Sequence, residues 1–138
     1  MGYQQSALRR VPAAQGISVS HVSTIAIVDD DPSVRLATES LVRSLGMKAA
    51  TFSSAENYLA ATSRVDCLIT DVQMDGIGGV ELSQILRERG DATPVIFITA
   101  FPDDRIRERV MAAGAFGFLS KPFEGQALID CIELALAA

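Results

Sequence analysis

Two rhythms of hydrophobic and polar residues alternate along the chain. From Thr24 onward, short β-rich runs at Thr24–Val28, Lys48–Phe52, Cys67–Thr70, Val95–Thr99 and Phe116–Leu119 read as strands. Between them lie longer stretches with an apolar residue every three or four positions, the signature of a helix with one buried face. The first predicted helix covers Pro32 to Leu45, with Asp31 as N-cap, Pro32 at the first helical position and Gly46 after its end. Val34, Ala37, Leu41, Val42 and Leu45 form its apolar stripe, and Leu36 falls roughly opposite. Ser53 and Glu56 have capping-box spacing and open a second helix reaching about Thr62. Three more helices are predicted over Gly79–Arg89, Asp103–Ala113 and Glu124–Leu136.

Strand and helix alternate five times, through connections that suit parallel strands joined by crossover helices. The predicted fold class is therefore α/β, a doubly wound five-stranded parallel sheet flanked by five helices. Right-handed crossovers with helices on both faces favour the strand order 2-1-3-4-5. In such a sheet ligands bind beyond the carboxyl ends of the strands, where the order reverses.

Those ends carry the candidate chemistry. The first strand runs into Asp29 and Asp30, the third into Asp71, the fourth ends at Thr99, and Lys121 follows the fifth. Neighbouring carboxylates repel by roughly 1 kcal/mol per pair in water and by several times that in a less polar cleft, so this cluster needs a counter-charge. An all-oxygen set of three acids suits Mg²⁺, which favours carboxylate and phosphate oxygens. One carboxylate can then attack phosphorus, while a lysine and a threonine hydroxyl stabilise charge on the transferring phosphoryl oxygens. Asp31 is read as a helix cap only.

Composition narrows the picture. The 138 residues are 49% hydrophobic with a net charge of −5, which fits one domain with a sizeable core and argues against direct nucleic-acid binding. No apolar run approaches the roughly 20 residues that span a bilayer, so no membrane association and a cytoplasmic location are expected. Cys67 and Cys131 lack a metal-ligand neighbour and read as reduced core thiols. Residues 1–23 show no sustained period and read as a flexible N-terminal extension, His21 included, ahead of a domain over 24–138.

The motifs "IVDDD", "LITDVQMDGIGGVEL", "ITA" and "GAFGFLSKPF", in this order, resemble the receiver domains of two-component response regulators. The resemblance runs from Thr24 to about Ala137, and the "KPF" ending looks most like the FixJ-type regulators. It implies a flavodoxin-like receiver fold in which Asp71 is phosphorylated by a sensor histidine kinase. It further implies that Asp30 binds Mg²⁺ directly, Asp29 largely through water, and Asp71 and the backbone carbonyl of Gln73 complete the metal site. Lys121 would contact the phosphoryl group, Thr99 and Phe118 would form a switch pair, and the Lys121–Pro122 bond would be cis. Such a domain is a signalling switch that catalyses its own phosphorylation and dephosphorylation rather than a conventional enzyme. A homodimer through helix 4, strand 5 and helix 5 is implied as well, as is control of transcription through an output domain outside these 138 residues.

Two features are this chain's own. Asp75 stands where the family often has proline, and with Gly76, Gly78 and Gly79 it predicts a loose loop after Asp71. Gln73 and Phe101 flank the expected path of the hydrolytic water, and bulky Phe101 predicts slow loss of phosphate. A Mg²⁺-dependent phosphatase would need a second acid where Gln73 stands. The other alternative is an interaction module that never meets phosphate.

Overall fold

The computed structural model describes residues 21–61 and 64–138, so most of the expected N-terminal extension lies outside the described residues. The elements alternate as predicted: β1 (Thr24–Val28), α1 (Pro32–Ser44), β2 (Lys48–Phe52), α2 (Ala55–Ala60), β3 (Cys67–Asp71), α3 (Gly79–Glu88), β4 (Val95–Thr99), α4 (Asp104–Ala112), β5 (Gly117–Ser120) and α5 (Gly125–Ala137). All strand pairs are parallel, in the expected order β2-β1-β3-β4-β5.

Side chains alternate across a strand, so the sheet divides its apolar residues between two cores. Ala26, Val28, Leu68 and Phe97 face one way and pack with Tyr58, Leu82, Leu86 and Val110 of α2, α3 and α4. Ile25, Ile27, Ile69, Ile96 and Ile98 face the other way and meet Val42 of α1 and Leu128 and Ile132 of α5. Each fully buried Ile, Leu or Phe contributes roughly 1.5–3 kcal/mol by leaving water. Both sheet faces are covered, and the open chemistry is left to the strand ends.

Local details depart from the sequence reading. Asp31 caps α1 as expected, accepting from the backbone N–H groups of Ser33 (2.9 Å) and Val34 (3.3 Å). Within α1, however, Ala37 is exposed and Thr38 is buried. The Thr38 hydroxyl can be buried because it donates to the Val34 carbonyl at 2.7 Å, which satisfies it inside the helix. The N-cap of α2 is Ser54, whose Oγ accepts from the Asn57 N–H at 3.0 Å, not Ser53. Glu56 does not close a capping box, since its carboxylate accepts from the Ile77 N–H at 3.3 Å in the loop after β3. The predicted end of this helix at Thr62 lies outside the described residues. Both cysteines are free, and burial pushes the Cys67 thiol up to about 12. Among the described residues no helix is long and apolar enough to cross a membrane.

Candidate functional site

Main-chain hydrogen bonds carry the sheet one step past its strands and fix the site residues there. Asp29 N–H donates to the Phe52 carbonyl (3.1 Å), Val72 N–H to Ile98 (2.9 Å) and Lys121 N–H to Thr99 (2.7 Å). Asp29 is fully buried and Asp71 nearly so, whereas Asp30 is exposed. Each of the three offers a carboxylate oxygen within 4.8 Å of the others. The Lys121–Pro122 peptide bond is cis, and the Lys121 Nζ donates to Asp71 Oδ2 at 2.9 Å while lying 3.1 Å from Asp29 Oδ2.

The electrostatics are those of a site short of positive charge. Burial holds the Asp29 carboxyl above the usual range, and the Asp71 charge adds to this, against lowering by the Asp31 N–H and by Lys121. For Lys121 burial works downward, but its hydrogen bond to Asp71 and its ion pairing with Asp29 outweigh it and hold the ammonium above its ordinary value. Asp29 Oδ1 accepts from the Asp31 N–H at 2.9 Å, and Arg35 donates to the Asp29 carbonyl at 2.7 Å. Asp29 Oδ2 has no hydrogen-bond partner, because Lys121 approaches it outside hydrogen-bonding geometry. A buried carboxylate oxygen with no hydrogen-bond donor, in an all-oxygen set of three acids against one ammonium, fits a small hard cation.

On the β4 side, Thr99 is fully buried, donates its hydroxyl to Gln73 Oε1 at 2.6 Å and accepts from the Phe101 N–H at 3.0 Å. Phe118 on β5 is half-buried under the Arg107 guanidinium of α4, 5.0 Å from its ring centre. Phe101, whose N–H is held by Thr99, is 69% exposed.

The loop after Asp71 is pinned where the sequence suggests slack. Gly76 takes a left-handed φ of +76°, which turns the chain so that the Ile77 N–H meets Glu56. Gly78 N–H donates to Glu81 (2.8 Å), and Gly79 N–H to the Val72 carbonyl (3.0 Å). A Cβ on Gly79 would strike the Asp71 carbonyl oxygen, so this glycine serves close approach and not freedom. Arg35 and Arg107 escaped the sequence reading, and Glu56 reads there only as a capping residue, since their partners lie elsewhere along the chain or on main-chain atoms that no side-chain spacing marks.

Residues 25–133 match the family model of the response regulator receiver domain. The chain belongs to the response regulator receiver family. Among similar proteins, the transcriptional regulatory protein TdiR of Thauera aromatica is 37% identical over 125 residues, covering 89% of this chain and 55% of TdiR. The response regulator protein TodT of Pseudomonas putida is 40% identical over 116 residues, covering 83% of this chain and 51% of TodT. The crystal structure of FixJ-N superposes with a TM-score of 0.79 at 34% identity, covering 86% of this chain and 96% of that one. The chain spans about half the length of the curated relatives it matches. The receiver is thus a signalling domain of response regulators.

Proposed function

We propose that Asp71 accepts a phosphoryl group from the phosphohistidine of a sensor histidine kinase. The supporting observation is the Lys121 ammonium seated on a nearly buried Asp71 carboxylate inside a three-acid cluster. An Asp71 carboxylate oxygen attacks phosphorus as the P–N bond breaks, and the bond's electron pair stays on the imidazole nitrogen. Asp29, Asp30, Asp71 and the Gln73 carbonyl would hold Mg²⁺, which when bound offsets the repulsion among the carboxylates and neutralises phosphoryl charge. Lys121 pairs with a phosphoryl oxygen, and the domain in this way catalyses its own phosphorylation and later hydrolysis.

The phosphoryl group adds about −1.5 to −2 charge. Thr99 turns its hydroxyl to a phosphoryl oxygen, and Phe118 moves into the space this opens. The change reaches the face of α4, β5 and α5, where a second receiver docks, and passes to an output domain that controls transcription. The reading places receiver activity in residues 24–138, in the cytoplasm, with residues 1–23 as an extension.

Acetyl phosphate with Mg²⁺ tests this reading. It should add one hydroxylamine-labile phosphoryl group to the full chain, and EDTA or Asp30→Ala should each abolish most of the labelling. Labelling indifferent to both would overturn the metal-assisted site.

The kinase approaches along α1 in this reading. Leu36 is 64% exposed on that helix. Leu36→Arg should slow transfer from the cognate kinase by roughly tenfold, the scale of a moderate interface residue, while acetyl phosphate labels it at the wild-type rate. Equal slowing with both donors would remove Leu36 from the docking face.

A further inference from the structure

Thr99 has one hydroxyl proton, and in this structure it is spent. The hydroxyl donates to Gln73 Oε1 at 2.6 Å, while its oxygen already accepts from the Phe101 N–H at 3.0 Å. A phosphoryl oxygen has no donor of its own and can gain a hydrogen bond from Thr99 only if Gln73 gives it up. The Thr99 main chain is held, because the residue is fully buried at the end of β4 and its carbonyl is tied to the Lys121 N–H at 2.7 Å, so Thr99 responds by turning its hydroxyl. Gln73 can move. It is exposed, and its side chain forms no other hydrogen bond among the described residues, so a released amide turns into water at little cost.

We propose that the Gln73 side chain is a latch on the Thr99 hydroxyl, closed in the unphosphorylated receiver and released when a phosphoryl oxygen on Asp71 claims the same proton. The inference rests on the proposed role of Asp71 and concerns the side chain of Gln73, whereas the metal reading uses only its backbone carbonyl. Gln73 is on this account a positioning residue. It acts through Thr99, and it sets how far the empty receiver resists the phosphorylated arrangement. Two states differing in one hydroxyl's partner make a simple population switch, and the latch weights the resting side.

Beryllofluoride, a phosphoryl mimic, tests the latch by titration calorimetry on the full chain at saturating Mg²⁺. Gln73→Met keeps the length of the side chain and removes the acceptor. It should bind beryllofluoride about fivefold more tightly than wild type, the equivalent of one neutral hydrogen bond no longer broken. In a Thr99→Val background, where there is no hydroxyl to hold, the same Gln73→Met change should leave affinity unaltered. An equal gain in both backgrounds would overturn the latch, because the effect would not pass through Thr99, and so would no gain in either. Failure of the wild-type protein to bind beryllofluoride would instead overturn the role of Asp71, and the latch with it.

Discussion

The Asp71→Asn receiver is expected to take up no phosphoryl group from acetyl phosphate while melting cooperatively with wild-type secondary structure. The substitution keeps the shape of the side chain and replaces a nucleophilic carboxylate with an amide that does not attack phosphorus. Asp71 ends the central strand β3, its neighbour Val72 is held by the Ile98 carbonyl at 2.9 Å, and Lys121 retains Asp29 at 3.1 Å as an anionic partner. Backbone geometry therefore survives the change. Asp29 and Asp30 remain close by, so the variant also asks whether proximity to the cluster suffices for acceptance. Intact-mass spectrometry after incubation with Mg²⁺ and acetyl phosphate reads the result, with labelling expected to fall by at least roughly 100-fold, as when a covalent nucleophile is removed. Wild-type labelling of this variant would place the acceptor elsewhere.

A second large effect is structural. Gly79→Val should destabilise the domain by about 3 kcal/mol and lower its melting temperature by roughly 10 °C. Gly79 begins α3 directly against the main chain of Asp71 and Val72, and any Cβ there meets the Asp71 carbonyl oxygen. Relief requires α3 to back away from the sheet, which loosens Val80 and Leu82 in the core on that face. Gly90 provides the contrast. Its φ is +77° but a Cβ there meets no atom within 4 Å, so Gly90→Ala should cost only the left-handed strain of about 1 kcal/mol. Thermal melts of the two variants separate collision from strain, and a Gly79→Val protein melting within about 2 °C of wild type would show that α3 yields freely.

Much of this molecule is written in its sequence, because the decisive signals are local. The order of the strands follows from alternation and short connections, and Asp29, Asp71, Thr99 and Lys121 stand out because strand ends are marked by the change from apolar to polar residues. What is not legible depends on distant partners. Ser53 and Glu56 carry capping-box spacing, yet Glu56 serves the Ile77 N–H 21 residues on, and the tertiary demand wins over the local one. The tie between Thr99 and Gln73 spans 26 residues and leaves no trace in periodicity. Thr38 takes the buried position beside Ala37 because a back-bond to Val34 cancels the hydroxyl's polarity, which hydropathy does not register. The glycines after Asp71 read as slack, because closeness of approach is a property of the folded chain.

Asp29, the Asp71–Val72 step and Lys121 are each set in place by a ladder bond between main-chain atoms. Such bonds are indifferent to the side chains they carry. With Asp71 phosphorylated as proposed, a lineage could therefore exchange what stands at Gln73, Phe101 or Phe118 and retune how long a signal persists, or who hears it, without renegotiating how the chain folds. Memory and audience are adjustable parts mounted on a frame that need not evolve with them.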